Sequence, residues 1–225
     1  MLIYGKQSIY YLIENHPNSI QTLYLAKEVD KKEYAMLMKQ SFEVKRIPPH
    51  AAQQMSKSAN HQGYLADVEN IQLKEVSFLR DKTFVVILSG ITDVGNIGAI
   101  IRSAYALGID AVIISGLNKI SFEPIARSSS GALFDMPVLF CKNVLDIIND
   151  LKTMGYVLYG AVVEGENIKE AAMAEKRALV LGSEGEGLAL RVQKKLDCKV
   201  TIEMAHNFDS LNVSAAGAIL MDRMR

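Results

Sequence analysis

No run of about eighteen consecutive apolar residues occurs anywhere in the 225-residue sequence, so no segment reads as a membrane-spanning helix. A charged-then-apolar leader is also missing from its start, and the expected location is the cytoplasm. Cysteine is scarce. The two that occur, Cys141 and Cys198, lie far apart inside apolar segments without C-x-x-C or Cys/His spacing, so both read as buried thiols and no metal is expected. Charge of one sign is lacking too, since 25 Lys and Arg balance 25 Asp and Glu. That balance argues against a broad, non-specific nucleic-acid binder while leaving local basic patches open. The chain has no G-x-G-x-x-G between a strand and a helix and no P-loop lysine, which counts against a nucleotide-dependent dehydrogenase. A Ser/His/Asp order and paired histidine ligands are likewise missing.

What is present alternates between short strands and helices. In residues 1–70 the apolar spacing predicts helices over 6–14 and 31–40 and a short one near 51–58. Strands are expected over 20–25, 42–47 and 63–68. This is a small α/β unit with tight connections. Asn60-His-Gln-Gly63 precedes its last strand; His61 and Gln62 are open to two readings, an RNA contact or a turn in which Gly63 supplies the unusual backbone angle. The polar stretch 71–82 has no period of its own and marks a linker.

From residue 83 to 225 the pattern is that of a parallel sheet covered on both faces. FVVILSG, AVIISG, PVLF, YVLYGAVV, ALVLG and CKVTIEM are its strands. Helices are expected over 98–107, 144–154, 188–196 and 213–224, and a polar connection runs through Pro124 to Gly131. Ligands of such sheets bind beyond the carboxyl ends of the strands. Three of these ends combine glycine with polar side chains: Gly90 through Arg102, Gly182-Ser-Glu-Gly-Glu-Gly187, and the turn after CKVTIEM that holds Asp209, Ser210 and Asn212. Ser210 and Asn212 suit a helix N-cap, and the same junction offers backbone N–H groups to a ligand. Glu184 needs a donor if it faces a pocket. Arg102 reads either as a solvated helix side chain or as a guanidinium that grips phosphate oxygens in a fork. His206 reads as a loop histidine.

Taken together, Asn96-Ile-Gly-Ala-Ile-Ile-Arg102, Leu181-Gly-Ser-Glu-Gly-Glu-Gly-Leu188 and Ser210-Leu-Asn-Val-Ser214 resemble the three ordered motifs of the SpoU (TrmH) family. These are RNA ribose 2′-O-methyltransferases of the SPOUT superfamily. The N-terminal GKQSIYYLIE and NHQGYLADVE resemble the ribosomal-protein-like RNA-binding domain of the ribosomal RNA branch, and Ser130-Gly131-Ala132 resembles the family's S-G-A segment beside the substrate. The resemblance covers nearly the whole chain.

It implies a SPOUT-type parallel sheet with a deep trefoil knot, a homodimer, and S-adenosylmethionine as cofactor. Asn96, Arg102, Glu184, Ser210 and Asn212 would form the catalytic group. Ala161, Leu181, Gly182, Ile202, Met204, Leu211 and Ser214 would hold the cofactor. His61, Gln62 and Ser130 would contact RNA. The implied substrate is a guanosine of large-subunit (23S) ribosomal RNA, with transfer RNA, or RNA binding without methylation, as the alternatives. Two positions depart from the family's pattern. Glu203 stands where a proline is common, and His206 where a glycine is common, so strand-end rigidity and a special backbone angle are both in question. The chemistry needs an in-line approach, loss of the hydroxyl proton and a place for developing charge. Arg102 as general base and Arg102 as electrostatic clamp both satisfy it.

Overall fold

A computed structural model describes residues 1–206 and 210–225 of the chain, so Asp209 lies outside the described residues. The chain divides into two compact units, Met1–Gln72 with Ser121–Phe134, and Leu73–Ile120 with Asp135–Arg225. The stretch 121–134, expected within residues 83–225, clusters with the N-terminal residues.

The first unit runs β1 (Leu2–Tyr4), α1 (Lys6–Asn15), β2 (Ile20–Leu25), α2 (Lys31–Leu37), β3 (Glu43–Arg46), α3 (Pro49–Met55) and β4 (Tyr64–Val68). Its four-stranded sheet has the order β1-β4-β2-β3. β4 is antiparallel to both neighbours, and β2 and β3 are parallel. α1 buries Ile9, Leu12 and Ile13, the i, i+3, i+4 stripe of a core-facing helix. From the second stretch of this unit, α5 (Phe122–Ser128) packs on α1, and the Ser8 hydroxyl donates to the Ala126 carbonyl at 3.0 Å. A Cβ on Gly131 would stand 2.7 Å from Tyr11, so only glycine lets that turn close on α1.

The second unit begins with a 3-10 turn at Val76–Asp81 inside the stretch that lacked a period. Tyr156 anchors this turn, its hydroxyl lying 2.8 Å from the Leu79 and Lys82 carbonyl oxygens. Burial, with the charge of Asp110 added, pushes the phenol pKa above its ordinary value, so the donor is kept. The unit then runs β5 (Phe84–Ser89), α4 (Val94–Ala106), β6 (Ala111–Ser115), β7 (Val138–Cys141), α6 (Val144–Thr153), β8 (Val157–Asn167), β9 (Arg177–Leu181), α7 (Leu190–Gln193), β10 (Cys198–Thr201) and α8 (Val213–Met224). All neighbouring strands are parallel, in the order β10-β8-β9-β5-β6-β7.

The unbroken burial of Phe84 to Leu88 and of Ala111 to Ser115 follows from coverage on both faces. One face sets Val85, Ile87, Ile113 and Val180 against Ile147, Ile148 and Leu151 of α6. Alternation sends Val86, Leu88 and Leu181 to the other face. There Gly217 of α8 lies so close that a Cβ would stand 2.9 Å from Leu181 and 3.7 Å from Ile100. Each fully buried Leu or Ile of these layers contributes about 1.5–3 kcal/mol relative to exposure. Both cysteines are half-buried, which corrects the reading of buried thiols.

Candidate active site

The site starts with a helix cap. Asp93 ends the loop after β5, and its side chain accepts from the Asn96 N–H at 2.7 Å, which fixes the first turn of α4. The helix therefore begins at Val94, ahead of the apolar pattern that suggested residue 98. Asn96 sits in this first turn and its Nδ2 donates to Glu184 Oε1 at 3.0 Å.

Glu184 stands in the loop after β9. That loop closes on itself through a bridge between Ser183 and Gly187, with Gly187 N–H donating to the Ser183 carbonyl at 3.0 Å. A Cβ on Gly182 would lie 2.2 Å from the Gly187 backbone, so the closure requires glycine there. The third contributor is Asn212, the N-cap of α8. Its Oδ1 accepts from the Ser214 N–H at 2.9 Å and from the Ser214 hydroxyl. Its Nδ2 donates to Asn96 Oδ1 at 3.0 Å and to Glu184 Oε1. The cap reading of Asn212 therefore holds, and the other half of the same amide bonds Asn96 and Glu184.

Three loops that follow β5, β9 and β10 are tied by three side chains. Glu184 receives two amide N–H groups on one oxygen. The other oxygen, Oε2, takes no part in these bonds. Arg102 lies exposed on α4, about 9 Å along the axis from Asn96 at 1.5 Å per residue. Ser210 is exposed and precedes the cap by two positions.

Of the candidate cofactor residues, Leu181 ends β9 and Gly182 follows it, Ile202 and Met204 follow β10, Leu211 and Ser214 flank the start of α8, and Ala161 lies within β8. Leu181 is 1% exposed and Gly182 is buried, so these two can offer only backbone groups. Ala161, Ile202, Met204 and Ser214 are half-buried, and Leu211 is 36% exposed. Partly exposed apolar side chains beside backbone polar groups fit a ligand such as S-adenosylmethionine, which is apolar along its adenosyl part and polar at its edges.

β10 ends at Thr201, so Ile202, Glu203 and Met204 have left the sheet that the pattern CKVTIEM had extended to them. In place of a proline's rigidity, Glu203 accepts a hydrogen bond from Asn167 Nδ2 at 3.1 Å, while Asn167 Oδ1 accepts from the Lys169 N–H at 3.1 Å. His206 has φ 60, so the position where the family commonly carries glycine does hold a left-handed backbone in this chain. For Cys198, burial raises the thiol pKa, and the nearby Asp197 and Glu166 charges add to it. Among the described residues no three His, Cys, Asp or Glu gather as metal ligands, and no helix is long and apolar enough to cross a membrane.

The RNA candidates lie in the first unit. His61 is engaged at both ring nitrogens, with Gly63 N–H at 3.0 Å and Gln53 at 3.2 Å, and it shapes the turn. Gln62 has φ 55, and its Oε1 accepts from the Lys6 N–H at 3.0 Å, capping α1 from outside the helix. Ser130 has φ 54 in the turn after α5. Asp93 and Asn167 escaped the sequence reading. An Asp placed before a helical run is an N-cap signal that would have revealed Asp93, whereas nothing local marks Asn167.

A family model described as "SpoU rRNA Methylase family" matches residues 83–222, and one described as "RNA 2′-O ribose methyltransferase substrate binding" matches residues 2–73. The chain belongs to the SpoU rRNA methylase family and is an RNA methyltransferase of that class. Among similar proteins is an uncharacterized tRNA/rRNA methyltransferase of Synechocystis, 35% identical over 74% of this chain and 46% of its own length, so the match spans under half of that relative. The 23S rRNA (guanosine-2′-O-)-methyltransferase RlmB of Salmonella typhimurium is 28% identical over 98% of this chain and 96% of its own length. Among solved structures, the SpoU methyltransferase AviRb of Streptomyces viridochromogenes, crystallised with AdoMet, superimposes with a TM-score of 0.82 at 26% identity, covering 100% of this chain and 88% of that one.

Proposed function

We propose that this protein methylates the 2′-hydroxyl of a guanosine ribose in 23S ribosomal RNA, with S-adenosylmethionine as methyl donor. The observation that carries this reading is the Asn96–Glu184–Asn212 network, which ties three motif loops together beyond the strand ends. The near full-length similarity to the Salmonella guanosine methyltransferase favours the substrate. In this proposal the C-terminal stretches of the chain form a deep trefoil knot, and two copies associate as a dimer. Residues 1–70 bind substrate RNA, 71–82 link, and 83–225 carry the methyltransferase fold.

Ala161, Ile202, Met204, Leu211 and Ser214, with the backbone at Leu181 and Gly182, hold the cofactor, which when bound supplies an activated methyl group. The protein's own task is orientation and electrostatics. Arg102 clamps the phosphate beside the target ribose and stabilises the oxygen's growing negative charge; a guanidinium, always charged and able to bind oxygens in a fork, is suited to this. Glu184 and Asn96 fix the loops around the ribose, and Ser210 positions its hydroxyl. His61 acts through the turn it shapes, and Gln62 and Ser130 lie on the RNA side.

The test is methyl transfer in vitro. Purified protein, methyl-labelled S-adenosylmethionine and unmodified 23S transcript are expected to yield labelled 2′-O-methylguanosine after nuclease digestion. Label appearing on transfer RNA alone would move the substrate to the second reading, which the Synechocystis relative's description, naming tRNA and rRNA together, leaves open. Absence of cofactor binding by calorimetry at millimolar concentration would leave RNA binding without catalysis.

A further inference from the structure

In the proposed function Arg102 meets one phosphate beside the target ribose, and a polymer brings many more. We propose that Lys6 and Lys27, gathered around the ring of Tyr64, form a phosphate-binding pair for the RNA backbone. This rests on the RNA-methyltransferase reading and adds to it a surface with named donors.

The placement begins with the sheet. β1, β4 and β2 are neighbours, and the chain leaves β1 through Gly5 to Lys6, leaves β2 through Ala26 to Lys27, and enters β4 at Tyr64. Backbone bonds pin these three points at one end of the sheet, Gly5 N–H to the Tyr64 carbonyl at 3.1 Å and Ala26 N–H to the Gly63 carbonyl at 2.9 Å. Lys27 Nζ stands 4.7 Å and Lys6 Nζ 5.6 Å from the Tyr64 ring centre, and Lys6 is also 5.2 Å from that of Tyr10. Gly63, with φ +83, makes room for this. Carbons of the Lys27 stem lie 2.6 to 2.9 Å from where a Cβ would begin, so any side chain at 63 would displace the lysine.

Beneath the cations, Tyr10 and Tyr64 both donate their hydroxyls to Glu33 Oε1. A phenol that donates to a carboxylate gains negative character on its ring, and a more negative ring face holds an ammonium more firmly. The Glu33 carboxylate accepts from both phenols and also feels the charge of Lys6, while Lys6 and Lys27 are both exposed residues. Two cations held at one ring repel each other, and a shared anion relieves that repulsion. Gln62 adds to the same sign of demand. Its Oε1 accepts from the Lys6 N–H, and its Nε2 carries two further donors. A surface of ammonium and amide donors selects phosphate oxygens, which position a nucleic acid without reading its sequence.

The test measures binding of fluorescent 23S transcript over a series of potassium chloride concentrations. For the Lys6→Ala/Lys27→Ala double variant, the slope of log affinity against log salt should become shallower by roughly 1.4 to 1.8, at about 0.7 to 0.9 per phosphate contact. Affinity should fall about tenfold or more near 0.1 M salt, while the circular dichroism spectrum and the melting curve of the whole chain stay at wild type and so verify that the first unit folds. The Lys6→Arg/Lys27→Arg variant should retain the slope. A wild-type slope in the alanine variant overturns the proposal. Wild-type protein that fails to bind the transcript at all would instead sink the RNA reading beneath it.

Discussion

Asn212 shows how much one side chain can settle. Its oxygen caps α8 through Ser214, and its amide nitrogen reaches Asn96 and Glu184. Asn212→Ala should cost about 1 kcal/mol as a lost cap and more than tenfold in turnover, because two partners lose their common donor. Asn212→Asp separates the roles. It keeps a capping acceptor but sets a second carboxylate against Glu184, so a melting curve within about 1 kcal/mol of wild type should accompany a similar loss of methyl transfer. Equal effects of both variants on stability and turnover would return Asn212 to a structural cap.

Glu33 makes a prediction in pH. Burial works to raise its pKa, but the hydrogen bonds from Tyr10 and Tyr64 and the charge of Lys6 outweigh burial and leave it below the usual 4.5. A depressed carboxylate contributes stability that is present above its unfolded pKa and is lost as pH falls through its folded value. Acid titration of wild type should therefore show a loss beginning below about pH 4.5 that Glu33→Gln lacks; parallel acid profiles would contradict this. Burial first, then its own bond to the Glu33 carboxylate, pushes the Tyr10 pKa up to about 12, so its hydroxyl remains a donor across that range.

At the scale of elements, the long apolar strands were plain in the sequence because an unbroken run such as FVVILS has few other homes than a covered sheet. Short and capped elements were not. β1 has three residues, too few for alternation to register. α4 opens on Val94-Gly-Asn, poor helix formers, and owes its start to Asp93. The stretch SFEPIARSS reads as a polar connection, yet it forms α5 and packs through Ile125 and Ala126, which are buried. The helix expected over 188–196 shrinks to Leu190–Gln193. The loop after β9 was legible as glycine-rich but not as closed. Its closure makes Gly182→Ala a sharp probe, since the new methyl group would meet Gly187 backbone at 2.2 Å. The expected outcome is a loss of about 1–3 kcal/mol by denaturant unfolding, as for overpacked sites, together with weaker cofactor binding by calorimetry. A variant that keeps both would mean that the loop tolerates opening.

At the scale of the whole molecule, the motif order carried the family, and the family model over residues 83–222 bears that reading out. Periodicity alone gave an α/β chain with a parallel sheet. It had no means of bringing Asn96, Glu184 and Asn212 together, because they are far apart in sequence and meet only when three loops converge. Nor did it foresee that Ser121–Phe134 joins the N-terminal unit, which depends on Ser8 and Gly131 packing across distant parts of the chain. The account's central claim is that this convergence, with Arg102, methylates ribosomal RNA. The most direct measurement is a map of 2′-O-methyl groups on total RNA from cells that lack the protein, restored with wild type or with Arg102→Ala. The account predicts that one guanosine mark on 23S RNA is lost, returns with wild type and stays absent with Arg102→Ala. An unchanged 23S map, or full restoration by Arg102→Ala, would contradict it.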